Sequence, residues 1–532
     1  MVMAPRDYEA LGLLAPLHRV NPPDGPADMA HLLDAALAST PDALALVGPD
    51  GQYSYAALES AVTKWASAMA ARGIGPGVAV AASLSNGCAI VIAFLATQRL
   101  GAIWVGINTV LANREKVFIL GHSGVKLFLA EAADLTNLAP ILTEHACHGI
   151  APDSAEWQSE LAAAPPPPTV TIDAFAPAAI MYTSGTTGQP KGVVHSQHNF
   201  VTVCAALTAA GTIRPHGNRA VVQPLTITNV MVLGPVLTLR NGKTVFTRPM
   251  PRPALLCAWL METRPQSCIV APTTVYDILE QGLDLPDGLE LASGGAPIPT
   301  PIRQRFIQRF GYPLVGTYGL TEAPTIVTDT RGVEPPVGSS GKVLPHLRLA
   351  ILDEQGRELP PGEIGSLCFG PVTHGPWAHV YTPPLGYWHN PDKTAELLAD
   401  GLVHSGDMGH VDADGWLFVA DRASELILRA ASNIYPAEVE RVLYEHMGVA
   451  ACALIGKPDE RLGKRTVAFV QAREPDADTE QLQAELTDMC RQALARYKLP
   501  DEWRFVEGFD RNAMGKIVRP RLIAMLEAEL RG

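Results

Sequence analysis

A chain of 532 residues exceeds the ~250–300 at which single hydrophobic cores stop growing, so at least two domains are expected. Hydrophobic residues make up 47% and charged residues 18%, which fits a soluble globular protein with a large core. A formal net charge of −13 argues against non-specific nucleic-acid binding and against attraction to an anionic membrane. An anionic ligand must then be captured by local cations.

Residues 28–38 place apolar side chains at helical spacing. Alternation over 43–47, the turn Gly48-Pro-Asp-Gly51 and Tyr53-Ser-Tyr55 predict a hairpin, followed by a helix over 56–71. A strand at 78–82, a helix at 89–100 and a strand at 126–130 continue a strand–helix rhythm, which predicts an α/β domain around a largely parallel, buried sheet. The longest apolar stretch, 88–107, is broken by Gln98, Arg99 and Gly101 and reads as a buried helix and strand, not a membrane span. The N-terminal patch 11–17 contains Pro16 and follows no basic segment, so it is not a signal peptide. Eight scattered cysteines form no Cys-x-x-Cys pair, the pattern of buried reduced thiols, and a cytoplasmic location is expected. Four prolines, 165–168, read as a stiff loop within one large domain.

The most informative stretch is Met181-Tyr-Thr-Ser-Gly-Thr-Thr-Gly-Gln-Pro-Lys-Gly-Val-Val-His195. An apolar run enters a loop offering glycine-exposed backbone N–H groups, short hydroxyls and one cation, the three means of holding phosphate oxygens. The common triphosphatase loop is excluded: counting from Gly185, its second glycine would fall on Pro190. The stretch closely resembles the phosphate-binding signature of the adenylate-forming superfamily. That superfamily includes acyl-CoA and aryl-CoA synthetases, nonribosomal peptide adenylation domains and firefly-type luciferases.

Further motifs match in the same order. Ala292-Ser-Gly-Gly-Ala-Pro297 and Val315-Gly-Thr-Tyr-Gly-Leu-Thr-Glu322 resemble the family segments beside adenine, acyl group and metal. Gly386-Tyr-Trp-His-Asn-Pro391, Ser405-Gly-Asp407 and Asp414-Gly-Trp-Leu-Phe418 resemble its strand-rich subdomain, Asp421-Arg422 its inter-domain junction, and Arg511-Asn-Ala-Met-Gly-Lys516 the loop of its mobile lysine. The resemblance spans about residues 28–522. It implies an α/β fold with a large N-terminal domain, residues 1–421, that holds two helix-flanked sheets and a β-rich subdomain. A small mobile α/β C-terminal domain, residues 422–532, would rotate about a hinge near Ser424.

The implied activity is that of an ATP-dependent acid–CoA ligase using Mg²⁺. A carboxylic acid becomes acyl-AMP with release of pyrophosphate, and the thiol of CoA then displaces AMP. In that scheme Lys191, Thr183, Ser184, Gly185, Thr186, Thr187 and Gly188 cradle the phosphates, and Glu322 with Thr187 serves the metal. Gly295, Ala296, Pro297, Thr317, Tyr318, Gly319 and Thr321 line the nucleotide site, with Tyr318 against adenine. Asp407 accepts from the ribose hydroxyls, Arg422 reaches ribose and phosphate, and Lys516 bridges carboxylate and phosphate oxygens where two anions must meet.

Three departures stand out. The family's Pro-Leu-Phe-His continues here from Pro224-Leu225 as Thr226-Ile-Thr-Asn229; the hinge residue is Ser424 in place of Asp or Lys; and Ala430-Ala431-Ser432 replaces a Gly-Gly loop along the pantetheine path. Alanine disfavours positive φ, so thiol transfer is expected to be sensitive at 430–431. The acyl pocket is assigned to Thr228, Asn229, Val230, Met231, Gly294, Gly319 and Ala323, segments without an arginine. An apolar monocarboxylate is expected, aromatic, arylalkanoic, cyclic or medium-chain, and preference for a dicarboxylate would contradict this. Two alternatives stand: an enzyme of a single half-reaction, loading a carrier protein or thioesterifying a preformed adenylate, and a catalytically silent nucleotide-binding regulator. No carrier segment follows, which favours free CoA. The expected partners are the acid and CoA, without nucleic acid or membrane; a homodimer is common in similar enzymes.

Overall fold

The computed structural model describes residues 5–183, 190–211, 217–294, 300–330, 335–422, 425–429, 432–459, 463–512 and 515–531. Two seven-stranded sheets form the bulk of the chain. The first runs Gly386–Tyr387, Lys191–Ser196, Pro177–Thr183, Ile103–Gly106, Ala79–Ser83, Leu127–Ala130, His148–Ile150. The second runs Val315–Thr317, Glu290–Gly294, Ser267–Val270, Arg219–Val221, Val245–Thr247, Leu44–Gly48, Gly51–Ser54. Parallel pairing dominates both, with antiparallel partners at one end of each. Parallel strands buried on both faces need not alternate, which is why Ala79–Ser83 and Leu127–Ala130 are apolar runs buried throughout.

The helix Cys88–Arg99 shares one core with both sheets: Phe94 packs among Trp104 and Val80 of the first and Leu46 and Val245 of the second. Its N-terminus follows Gly87, which has no side chain to cap it. Asp50 of the predicted hairpin turn does so instead, accepting from the amides of Cys88 at 2.6 Å and Ala89 at 2.9 Å. A Cβ on Gly87 would lie 2.7 Å from that carboxylate, so glycine is required there. The hairpin and the helix Tyr55–Ala71 form as expected, whereas 28–38 yields only the short helix Asp34–Ser39 after a run of turns.

The four prolines connect Ala155–Ala163 to Pro177–Thr183, and so link strands of one sheet. A four-stranded antiparallel sheet, Leu347–Leu352, Gly365–Pro371, Val403–Val411 and Leu417–Arg422, is the β-rich subdomain. Beyond it, Val449–Asp459, Gly463–Ala472 and Glu502–Phe505 form a three-stranded sheet. The helices Pro436–Tyr444 and Thr479–Ala493 cover it around a separate core of Val439, Leu443, Leu454, Val470 and Leu486. All eight cysteines are buried and free, and burial pushes the thiols of Cys147 and Cys204 up to about 12. Among the described residues no helix is long and apolar enough to cross a membrane.

Burial also depresses three imidazoles, His195 and His198 to about 4 and His346 to about 3. These side chains are neutral in the fold but titrate near ~6.5 when unfolded, so between those values the unfolded chain binds more protons. Stability is therefore full above ~6.5 and falls as pH drops toward 4, by about 3 kcal/mol for each such group. Urea midpoints at pH 7.5, 6 and 5 check this; a pH-independent midpoint would contradict it.

Candidate functional site

The C-terminal ends of parallel strands from both sheets open into one cavity of about 2790 Å³. Gly106 and Thr183 of the first sheet line it, as do Ser293 and Thr317 of the second. This is where open α/β sheets bind ligands, because strand ends and following loops leave side chains free to converge. The sheets meet here at close range. A Cβ on Gly106 would sit 1.8 Å from the Thr226 carbonyl oxygen, so only glycine lets the 224–228 segment approach. The buried side chain of Asn86 holds that segment, donating to the Gln223 carbonyl at 2.8 Å and accepting from the Leu225 amide at 2.8 Å.

On the phosphate side, Thr183 ends its strand and Lys191 opens the antiparallel return strand, and the two are register partners. Ser184, Gly185, Thr186, Thr187 and Gly188 lie outside the described residues. The Lys191 ammonium stands 5.5 Å from the centroid of the Tyr387 ring, and the Tyr387 hydroxyl donates to Glu322 Oε1 at 3.1 Å. Tyr387 thus spans the phosphate cation and the metal-side carboxylate, a link that the Gly-Tyr-Trp motif signals but that was given no role from sequence. Behind Glu322, the buried His195 bonds through Nε2 to the Thr321 carbonyl at 2.8 Å. As a neutral imidazole it donates there and fixes the turn carrying Glu322.

On the nucleoside side, Thr317, Tyr318, Gly319 and Thr321 all line the cavity. The Tyr318 hydroxyl donates to Asp407 Oδ2 at 2.5 Å, and Asp407 is register partner to Arg422 across the antiparallel pair. Asp407 is buried, its amide held by Ser405 Oγ at 3.1 Å. Gly294 is paired with Thr317, while Gly295, Ala296 and Pro297 lie outside the described residues. A Cβ on Gly319 would fall 2.0 Å from the Thr325 carbonyl oxygen. Gly319→Ala is therefore expected to cost about 1–3 kcal/mol of stability and to displace the Thr321–Glu322 turn. Thermal denaturation alongside ATP–pyrophosphate exchange checks this, and wild-type values in both would refute it.

The acyl segment is helical and not a loop. Thr228–Met231, a π-turn at Val232–Val236 and Leu237–Arg240 run on as one helix, the wider turn accommodating Pro235. Helical periodicity splits the assigned residues. Thr228, Asn229 and Val230 line the cavity, joined by Leu233, but Met231 points into the core, fully buried with Val232. Ala323 is likewise packed in the core and not on the cavity wall. Buried polar atoms in the lining lack hydrogen-bond partners among the described residues: Thr226 Oγ1, Asn229 Oδ1, Ser293 Oγ and Thr325 Oγ1. Arg303, outside the segments assigned from sequence, lines the cavity too. A purely apolar acyl wall is therefore not what the fold builds.

From the C-terminal unit, Lys516 reaches the same cavity together with Arg511 and Asn512. Its loop is a tight turn: the Asn512 amide donates to the Lys516 carbonyl at 2.8 Å, and the Lys516 amide donates to Asn512 Oδ1 at 3.0 Å. Gly515 takes φ +77°, which favours glycine. Ser424, Ala430 and Ala431 lie outside the described residues, and Ser432 opens the strand Ser432–Ile434.

Residues 33–375 match the model of the AMP-binding enzyme family, and 438–516 that of the AMP-binding enzyme C-terminal domain. The chain belongs to the AMP-binding enzyme family. It is similar to a feruloyl-CoA synthase of Amycolatopsis sp, 31% identical over 475 residues, covering 88% of this chain and 92% of the relative. A sulfoacetate–CoA ligase of Cupriavidus necator is 30% identical over 513 residues, covering 93% and 97%. Among solved structures, o-succinylbenzoate CoA synthetase from Bacillus subtilis, in complex with its acyl-adenylate intermediate, superposes with a TM-score of 0.80 at 26% identity, covering 92% of this chain and 97% of that one. In this AMP-binding enzyme the motifs read from sequence thus fall where the two sheets, the β-rich sheet and the C-terminal unit converge.

Proposed function

We propose that this AMP-binding enzyme is an ATP-dependent acid–CoA ligase that works through an acyl-adenylate. The observation that carries the reading is the single cavity joining Lys191, Glu322 and Asp407 of the large unit with Lys516 of the small one. In the first step a carboxylate oxygen attacks the α-phosphorus of ATP, forming acyl-AMP and releasing pyrophosphate. Alignment and charge neutralisation dominate such a displacement. Lys191 and Thr183, with the adjoining hydroxyls, hold the departing phosphates, Asp407 the ribose, and Tyr318 the adenine. Lys516 lies between the two anions.

The donor set suits Mg²⁺. Among the described residues the Glu322 carboxylate takes one hydrogen bond, through Oε1, and no cluster of three acidic, histidine or cysteine side chains competes for the metal. A single hard oxygen donor beside substrate phosphates is how Mg²⁺ is usually bound. The bound ion would neutralise phosphate charge; Glu322 holds it and Tyr387 orients Glu322.

In the second step the C-terminal unit, residues 422–532, turns about Ser424, and the CoA thiol attacks the acyl carbonyl along the path past Ala430, Ala431 and Ser432, with AMP leaving. The acid's body packs on Val230, Leu233 and Gly319, which suits an aromatic, arylalkanoic or cyclic carboxylate. The named relatives, acting on a phenolic and a sulfonated acid, are consistent with polar substituents on that body. A panel of acids, read out by ATP–pyrophosphate exchange with and without CoA and by product mass, tests the reading. Acyl-CoA and AMP are expected only with CoA present. Acyl-AMP without transfer to CoA would leave an enzyme of one half-reaction, and ATP binding without exchange would leave a regulator.

A further inference from the structure

The helix Thr300–Phe310 follows the strand Glu290–Gly294, so its first turn lies at the ligand end of the second sheet. The acyl helix, beginning at Thr228, follows Arg219–Val221, two strands away in the same sheet. Ile302 and Phe306 pin the later helix to the core, and Arg303 faces the cavity. Its guanidinium is half-buried, and the Nη1 atom is buried without a hydrogen-bond partner.

No acidic side chain neutralises it. On the facing helix Pro272–Glu280, Glu280 pairs with Arg305 at 2.7 Å, and Asp277, whose carboxyl burial pushes up, makes no ion pair with Arg303. Burial without a partner lowers the pKa of Arg303 itself, yet an arginine stays charged in proteins. A cation kept unpaired in a ligand cavity is costly to the fold and becomes favourable once an oxyanion fills its fork. The phosphate grip lies elsewhere, at the strand ends of the first sheet around Thr183 and Lys191.

We infer that Arg303 is a specificity-determining residue, and that the preferred acid carries a second anionic group, carboxylate or sulfonate, besides the carboxylate that is activated. This deepens the ligase reading and rests on it, and it replaces the expectation of a monocarboxylate.

The test compares acids sharing one body, 3-phenylpropionate with 3-(4-carboxyphenyl)propionate and valerate with adipate, in CoA-free ATP–pyrophosphate exchange by the wild type, Arg303→Gln and Arg303→Lys. Wild type should favour the second-anion acid of a pair. Arg303→Gln should lower its kcat/KM by about 50-fold and change the monoacid less than about 3-fold, and Arg303→Lys should keep most of the preference. Thermal stability of Arg303→Gln should equal or exceed wild type, since an unpaired buried charge is removed. Equal losses on both members of a pair, no wild-type preference, or an effect confined to the KM for CoA would overturn the assignment. Exchange with no acid at all would instead remove the ligase reading and the inference with it; the monoacid arm tells the two failures apart.

Discussion

Replacing Lys516 with alanine is expected to slow ATP–pyrophosphate exchange by about 10²–10³-fold, while transfer from synthetic acyl-AMP to CoA stays within a few-fold of wild type. In the adenylation step a carboxylate must approach an anionic phosphate, and inside a cavity their repulsion is screened less than in water. Lys516 is presented for this at a turn closed by Asn512 and shaped by Gly515. Its ammonium stabilises charge that develops only as the two anions join, so the loss should fall on kcat and less on the KM for ATP. Once acyl-AMP exists that repulsion is gone, and the thiol step should not need the ammonium. Parallel assays of exchange and of acyl-AMP consumption separate the steps; equal loss in both would show that Lys516 supports the fold or the domain contact and not adenylation.

Glu322→Gln should have the next largest effect, about 10²-fold on exchange, with a rise in the Mg²⁺ concentration needed for half-maximal rate. Glutamine keeps the size and an acceptor for the Tyr387 hydroxyl, so the turn anchored by His195 should survive. What it loses is the charge that holds a hard cation. Calorimetry of ATP binding with and without Mg²⁺ gives a second readout: the metal should tighten binding to wild type more than to the variant. A variant with wild-type metal dependence in both measurements would take Glu322 out of the metal site.

Much of this site is legible in the chain because its parts are short and local. The strand–loop–strand about Lys191 and the Val315–Glu322 segment each carry backbone geometry and donor groups within a few residues, and their motifs survive reading in isolation. The Asp407–Arg422 pairing is nearly as local, one antiparallel register across a short connection. What escapes is set by distant partners. That Gly106 must be glycine depends on Thr226, and the role of Asn86 on Gln223 and Leu225. Tyr387 acquires meaning only when Lys191 and Glu322 meet on either side of it. Met231 was misplaced because 226–231 was read as a divergent loop, and in a helix one step of 100° turns a wall residue into a core residue. Arg303 was overlooked for a related reason: charge was sought inside the motifs, whereas the guanidinium reaches the cavity from the helix that follows one.

The most direct test of an acyl-adenylate route uses acid labelled with ¹⁸O in its carboxylate, turned over with unlabelled ATP and CoA, and follows the label by mass spectrometry. Attack of the carboxylate on the α-phosphorus, followed by thiol displacement, predicts one ¹⁸O in AMP and none in pyrophosphate. Label in orthophosphate with ADP as the nucleotide product would mean that the acid is activated at the γ-phosphorus, and would contradict the assignment of Lys516, Lys191 and Glu322 to an adenylating site.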